Sequence, residues 1–207
     1  VDPLTQRLNA FESLLTNIDG EIPSYNIEIL THSLADWLDK DSSPRQLGAE
    51  DSEYESLQFP YMAANNFMVH KSEIRMINGV EIEWLDSIMD AICVIPNDPI
   101  FKINVNTLSE ENAIIVAAMT GASISAAQSA ISARGEKGFE KISEFLDTPE
   151  MKGLTLSDEQ KSWFDVTTSH FILHTKTKYN NATFAMQTVF KIDNQNVSVM
   201  RREFSGF

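Results

Sequence analysis

Residues 169–179 read Ser-His-Phe-Ile-Leu-His-Thr-Lys-Thr-Lys-Tyr, and this stretch decides the fold class. Phe171 and Leu173 would lie on one side of an extended chain, and Ile172 and His174 on the other, which is the two-residue period of a β-strand. The residues before this stretch instead repeat their apolar positions every three or four residues. The change of period predicts an α+β protein.

Two turn dipeptides, Asn180-Asn181 and Asp193-Asn194, divide the C-terminal residues into three segments of strand length. They predict a three-stranded antiparallel meander with strands at Ser169–Tyr179, Ala182–Ile192 and Asn196–Phe204. The even-numbered residues of the middle strand form an apolar face, and a sheet of this size is marginal unless a helix covers such a face. We expect the covering helix to precede Val1.

Upstream of the sheet, apolar residues at helical spacing predict a domain made of helices. The predicted helices are Leu4–Leu15, Asn26–Leu38, Ser72–Met76, Ile82–Ile92, Ala113–Met119, Ile124–Ala133, a short helix around Ile142–Leu146, and a last one from Ser157 to about Phe164. A break is predicted at Asn17–Ile22. The resulting domain boundaries are 1–163 for the helical domain and 164–207 for the strands.

A helical hairpin is predicted around Gly121. Thr107 lies three residues before Glu110, the spacing of a capping box at a helix start, and Gly121 allows a tight turn between two apolar helices. The part at about 104–146 is therefore similar to a helix-hairpin-helix, a motif that contacts nucleic-acid phosphates. Its helices lack the Lys and Arg that phosphate binding requires, so a packing role is favoured and a nucleic-acid-binding protein is kept as the alternative.

Composition excludes several classes of protein. The chain has 207 residues and a formal net charge of −14, from 30 Asp and Glu against 16 Lys and Arg, which disfavours nucleic acid as a partner. Its longest apolar stretch, Ala113–Met119, is far shorter than the ~20 residues of a membrane span. The single Cys93 permits no internal disulfide, and its apolar neighbours predict a place in the core.

The acidic segment Asp39–Glu55 is the main candidate for a metal site. Asp39, Asp41 and Glu50 fall at positions 1, 3 and 12 of a calcium-loop count, but Pro44 takes the sixth position, where that loop needs Gly. Two interpretations remain open here: a solvated surface loop, or a different cage of oxygen ligands. An enzyme is a third reading, which would require carboxylates such as those of Glu50 and Asp51 to be held close together with raised proton affinity.

Five segments in order carry a resemblance to a known family. They are Asp36-Trp37-Leu38-Asp39-Lys40-Asp41, Gly48-Ala49-Glu50-Asp51-Ser52-Glu53-Tyr54, Pro60-Tyr61-Met62-Ala63-Ala64-Asn65-Asn66, Ser72-Glu73-Ile74-Arg75 and Ile103-Asn104-Val105-Asn106-Thr107. With the hairpin and the terminal meander after them, the chain resembles the K-type minor pseudopilins of bacterial type II secretion systems, also called general secretion pathway protein K.

The resemblance implies a pilin-like antiparallel sheet with a large inserted all-α domain. The family's long N-terminal helix, which anchors it in the inner membrane, and its first strand or strands are expected to lie outside this chain. Family members bind calcium through the acidic region, which implies a Ca²⁺ site at Asp39, Asp41, Glu50 and Asp51. We expect the cation to tie the loop Asp39–Asp51 to the neighbouring helices.

The implied function is structural and involves no catalysed reaction. Similar proteins cap the tip of a periplasmic pseudopilus by assembling with the I-type and J-type minor pseudopilins and with other pseudopilins, and so support protein export. The expected location is the periplasm, as a domain of an inner-membrane-anchored protein. Nucleic acid is not an expected partner.

Overall fold

The computed structural model describes residues 2–18, 22–96 and 98–205, which fall into two compact units. The first unit extends to Val166 and the second begins at Thr167. The helices of the first unit are α1 (Pro3–Asn17), α2 (Ser24–Leu38), α3 (Asp51–Glu55), α4 (Ile82–Ala91), α5 (Ala113–Thr120), α6 (Ile124–Ser132), α7 (Ile142–Leu146), α8 (Pro149–Lys152) and α9 (Asp158–Ser162). Two 3₁₀ helices cover Lys71–Met76 and Glu110–Asn112.

The first two helices form where the periodicity predicts them. The Asp2 side chain caps α1 by accepting hydrogen bonds from the amides of Leu4 and Thr5, and Pro3 occupies the first helical position, which needs no amide hydrogen. The predicted break at Asn17–Ile22 lies partly outside the described residues. α3 was not predicted, because its five residues lie inside the acidic segment that the sequence presents as a loop.

Two apolar clusters form the core of the first unit. One contains Leu15, Leu30, Trp37, Trp84 and Ile88 and packs α1, α2 and α4 together. The other lies around the hairpin of α5 and α6, and its buried members include Val116, Ile131, Phe145, Trp163 and Phe164. α1 contributes to both clusters, so it joins the two halves of the helical unit.

The hairpin of α5 and α6 turns at Gly121, as predicted. Gly121 has a φ of 76° and its amide donates to the carbonyl of Ala117 at 2.8 Å, a left-handed helix end that favours glycine. The predicted capping box of Thr107 and Glu110 is wrong: the box forms between Ser109 and Asn112. The Thr107 hydroxyl instead donates to the carbonyl of Asn104, so it closes a turn before the 3₁₀ helix.

A two-residue parallel pair of strands modifies the prediction of an all-α domain. β1 (Ile103–Asn104) pairs with β2 (Phe164–Asp165) inside the first unit. Phe164 is 3% exposed and belongs to the hairpin cluster. Residues 164–166 therefore belong to the helical unit, and the boundary between the units lies three residues beyond the predicted position at 163.

The second unit is the predicted three-stranded antiparallel meander. Its strands are β3 (His170–Tyr179), β4 (Ala182–Asp193) and β5 (Asn196–Ser205), in the order β3-β4-β5. The first turn is at Asn180-Asn181, as predicted, and the second is at Asn194-Gln195, one residue later than predicted, where both residues have positive φ.

One face of this sheet is apolar and exposed. Cross-strand pairs such as Thr177 with Phe184 and Met186 with Phe204 place side chains of all three strands on it. We call the following exposed residues the apolar face of the sheet: Phe171, Leu173, Tyr179, Phe184, Ile192, Val197, Val199 and Phe204. Phe184 is 63% exposed and Phe204 76%, values that are unusual for side chains of this size.

Two further findings concern exposure and hydrophobic length. Cys93 is exposed, so its predicted place in the core is wrong. Among the described residues, no single helix is both long and apolar enough to cross a membrane. The stretches Glu110–Thr120 and Ile124–Ser132 reach that length only as a pair, and they are bent by 117° at the hairpin.

Candidate metal site

The acidic segment connects the end of α2 to the start of α3. Asp39 caps the end of α2, where its amide donates to the carbonyl of Ala35 at 3.1 Å, and Glu50 caps the start of α3. Both helix ends are held by an aromatic cluster: the rings of Trp37 and Tyr54 meet edge to face with centroids 5.4 Å apart, and Tyr61 stacks on Tyr54 at 5.1 Å. The connecting segment is thus fixed at both ends by buried packing.

Three carboxylates meet in this segment. One carboxylate oxygen from each of Asp39, Asp41 and Glu50 lies within 4.8 Å of the other two. Two oxygens bound to the same Ca²⁺ at ~2.3–2.6 Å are at most about 5 Å apart, so this separation suits ligands of one calcium ion. The structure therefore brings together three of the four predicted metal ligands.

Glu50 is the buried member of the cluster. The residue is 2% exposed, and neither of its carboxylate oxygens has a hydrogen-bond partner. The amide of Glu53 donates to the backbone carbonyl of Glu50, at 3.0 Å, and not to the carboxylate. Because burying a carboxylate without a partner is costly, these two oxygens favour the interpretation that the cluster binds a cation.

The electrostatic environment of Glu50 agrees with its burial. Loss of solvation, followed by repulsion from Asp36, Asp39, Asp41 and Asp51, raises the pKa of Glu50 to about 7. A cation bound among these groups would oppose both effects by favouring the ionised carboxylate. With a pKa of about 7, Glu50 is partly protonated at neutral pH when no cation is bound, which relieves part of the repulsion.

Asp51, the fourth predicted ligand, lies outside the three-carboxylate cluster. Its Oδ1 atom accepts a hydrogen bond from the amide of Ala63 at 2.9 Å, which ties the start of α3 to the segment that follows it. A metal-binding role for Asp51 stays a prediction.

Two residues beside the cluster were missed by the sequence analysis. Asp36 is completely buried, and Arg45 forms ion pairs with both Asp36 and Asp39. Burial lowers the pKa of Arg45, but its hydrogen bonds to Asp39 and Asp36 outweigh that effect, and the pKa is raised overall. The available signal was an acid next to Trp37 within the buried side of α2, a position that normally excludes an unpaired charge.

The hairpin is the second candidate site from the sequence. No charged residue occurs in α5 or α6, and the nearby Arg134 donates from Nη1 to the carbonyls of Val105 and Asn106. The guanidinium thus holds the loop before the hairpin in place. The arrangement supports packing, and the two helices themselves offer phosphate no basic side chain.

Comparisons with known proteins bear on most of the chain. Residues 2–97 and residues 103–167 match two family models, both described as "Type II secretion system (T2SS), protein K". The chain belongs to the type II secretion system protein K family. The resemblance drawn from the five sequence segments is thereby confirmed.

Curated members of the protein K family align with nearly all of the chain. The type II secretion system protein K of Pectobacterium carotovorum subsp. carotovorum is 26% identical over 95% of this chain, and that of Aeromonas hydrophila is 27% identical over 96%. In each case the alignment covers 60% of the relative's own length. The chain thus spans about three fifths of these relatives.

A solved structure shares the fold of this protein K family member. It is the crystal structure of the GspK-GspI-GspJ complex from the type 2 secretion system of enterotoxigenic Escherichia coli. The similarity has a TM-score of 0.85 at 24% sequence identity and covers 97% of this chain and 70% of that one. The predicted α+β fold is confirmed by this similarity.

Proposed function

We propose that this chain is part of a minor pseudopilin that caps the tip of the type II secretion pseudopilus in the periplasm. The observation that carries the proposal is the match of residues 2–97 and 103–167 to the protein K family. The proposed role is structural: the subunit begins pseudopilus assembly and supports protein export, and it catalyses no reaction.

The two units of the chain suit different parts of this role. In a pilin-like fold a long helix lies over the sheet, and the apolar face of the sheet, with Phe184 and Phe204 exposed on it, is a surface of the kind such a helix covers. The helical unit is far larger than the sheet and could not be stacked repeatedly within a thin fibre. This bulk favours a terminal position.

The proposed partners are the I-type and J-type minor pseudopilins, since the solved structure of similar fold is a complex of GspK with GspI and GspJ. The test mixes this chain with the soluble domains of both partners and measures mass by size-exclusion chromatography with light scattering. We expect one ternary species. Separate elution of all three proteins at micromolar concentration would overturn the proposed assembly.

We also propose that Asp39, Asp41 and Glu50 hold one Ca²⁺ ion, with Asp51 as a further ligand. The fit rests on the separation of the three carboxylates and on the two unpartnered, buried oxygens of Glu50. The cation would supply positive charge among four acids and so tie the segment between α2 and α3 together. It serves stability, and no chemical step depends on it.

A thermal melt with calcium and with chelator tests the cation site. Calcium at 100 times its Kd would stabilise the protein by about 2.7 kcal/mol, which raises the Tm by roughly 5–10 °C for a chain of this size. Asp41→Ala should remove the rise, while Asp86→Asn, an exposed acid on α4, should keep it. An unchanged wild-type Tm would refute the calcium site and leave the family assignment untouched.

A further inference from the structure

Asp36 lies next to the cluster of Asp39, Asp41 and Glu50, and both of its carboxylate oxygens accept hydrogen bonds from Arg45. It is 0% exposed. Its Oδ1 atom accepts a hydrogen bond from Nη1 of Arg45, and its Oδ2 atom accepts one from the backbone amide of Arg45 at 3.1 Å. The buried carboxylate therefore holds both the backbone and the side chain of Arg45 against the end of α2.

The same guanidinium nitrogen also holds Asp39. Nη1 of Arg45 donates to Oδ2 of Asp39 at 2.6 Å, and Oδ1 of Asp39 accepts from the amide of Asp41 at 3.3 Å. Both oxygens of Asp39 are thus oriented by groups of the protein. Because Asp41 is exposed and held only locally, Asp39 is the ligand that fixes the outer side of the cluster relative to α2.

The chain reversal after Arg45 delivers Glu50 to the inner side of the cluster. The amide of Gly48 donates to the carbonyl of Arg45 at 3.0 Å, and a side chain at position 48 would overlap the carboxylate of Asp36. The turn therefore closes directly over Asp36. Ala49 and Glu50 follow it as buried residues.

We infer that Arg45 is a positioning residue of the cation site: by bridging Asp36 and Asp39 it assembles the three carboxylates before the cation binds. This inference rests on the proposed calcium site. Groups that orient metal ligands through hydrogen bonds typically contribute 10- to 100-fold to metal affinity. Lys40, which lies between Asp39 and Asp41 in sequence, is exposed and gives the matched comparison within the same loop.

The charge of Arg45 makes the inference sharply testable, because its two effects on the cation have opposite signs. As a positive charge beside the site it repels Ca²⁺, so its removal should strengthen binding if charge alone matters. As a positioning residue it prepares the site, so its removal should weaken binding. Arg45→Gln therefore distinguishes the two roles by the direction of the change in affinity.

The experiment is a calorimetric Ca²⁺ titration of the chain and its variants, with circular dichroism as the check on folding. We expect Arg45→Gln to weaken binding about 10- to 100-fold, Arg45→Lys to recover part of the loss, and Lys40→Gln to leave binding equal or slightly tighter. Hydrogen exchange in chelator gives an independent signature: the Gly48 amide should lose protection in Arg45→Gln and keep it in Lys40→Gln.

Each outcome decides a different point. If the wild type binds Ca²⁺ and Arg45→Gln binds equally well or more tightly, the positioning role is overturned and the calcium site stands. If the wild type binds no Ca²⁺, the site and the positioning role fall together. Should Arg45→Gln unfold because it leaves Asp36 unpaired, the double variant Asp36→Asn/Arg45→Gln removes the buried charge as well, and the same loss of affinity is expected.

Discussion

The carboxylate of Asp36 lies against Gly48 and occupies the space that the Cβ atom of any other residue at position 48 would need. Only a residue without a side chain lets the turn close over the buried acid at the end of α2. Moving the side chain of Asp36 aside would cost considerable free energy, because it is fully buried and hydrogen-bonded to Arg45. The shape of the acidic loop thus depends on a contact between two residues twelve positions apart.

Gly48→Ala should therefore destabilise the helical unit. We expect the free energy of unfolding to fall by about 2–4 kcal/mol, because the methyl group displaces a buried carboxylate from its partner. Urea denaturation followed by circular dichroism measures the change. Gly135→Ala is the control, since no atom lies within 4 Å of the place its methyl group would take, and it should stay within about 0.5 kcal/mol of wild type. Equal midpoints for the two variants would contradict the proposed contact.

The contact also shows what the sequence could and could not predict about the site. Asp39, Asp41 and Glu50 were predicted as ligands because acids cluster there and the family resemblance implied calcium. Their arrangement around Asp36 and Arg45 could not be predicted, since it depends on how the chain up to Gly48 reverses over the buried carboxylate of Asp36. The position of Asp36 beside Trp37 on the apolar side of α2 indicates a buried acid, but it does not identify Arg45 as the partner.

For the fold, regular patterns were predicted correctly and competing local signals were not. The meander followed from strict alternation and from turn dipeptides, and α1 and α2 followed from their apolar stripes. At the hairpin, both Thr107 and Ser109 have a capping partner three residues on, and the hydroxyl of Thr107 binds the carbonyl of Asn104 instead. Because the Thr107 hydroxyl is used in the preceding turn, the box forms two residues later, at Ser109.

The proton on Glu50 gives the protein a testable pH dependence in the absence of calcium. The pKa of Glu50 rises from 4.5 to about 7 on folding, so between these values the folded chain holds a proton that the unfolded chain releases. The contribution of Glu50 to stability is therefore most favourable below pH 4.5 and is lost as the pH rises to about 7.

Glu50→Gln removes this titration. In chelator at pH 8 we expect the variant to be about 1–2 kcal/mol more stable than wild type, with the difference vanishing near pH 4.5. Calcium at pH 8 should reverse the order, because the variant lacks a ligand. Thermal melts across the pH range provide the measurement. A constant difference between the two proteins at every pH would show that Glu50 does not titrate as described.

Asn106 connects three parts of the helical unit through its side chain. Its Nδ2 atom donates to the carbonyls of Phe139 and Val166, at 2.9 and 3.1 Å, and its Oδ1 atom accepts from the amide of Phe139 at 2.8 Å. Asn106→Ala leaves these backbone groups without partners, so we expect a loss of about 2–4 kcal/mol in urea denaturation. Asn9→Ala, on the exposed side of α1, should be neutral or slightly stabilising. A loss no larger than that of Asn9→Ala would contradict the connecting role.

The hairpin provides a prediction about nucleic acid. Gly121 is exposed, and the helices α5 and α6 on either side of it contain no charged residue. Glu110 and Glu111 lie just before α5 and add negative charge. Phosphate binding gains most of its free energy from Lys and Arg, so the chain should bind oligonucleotides no more tightly than a Kd of about 10⁻⁴ M in fluorescence anisotropy.

The double variant Ser125→Lys/Gln128→Lys tests whether charge is what the hairpin lacks. Both positions are exposed on α6, so the substitutions add two cations without disturbing the core. We expect measurable binding by this variant at about 50 mM salt and a clear loss at about 200 mM, because counterion release makes such binding salt-dependent. Salt-dependent binding by the wild-type chain itself would instead favour the nucleic-acid role, since it would show that basic residues of the chain neutralise phosphates despite its net charge of −14.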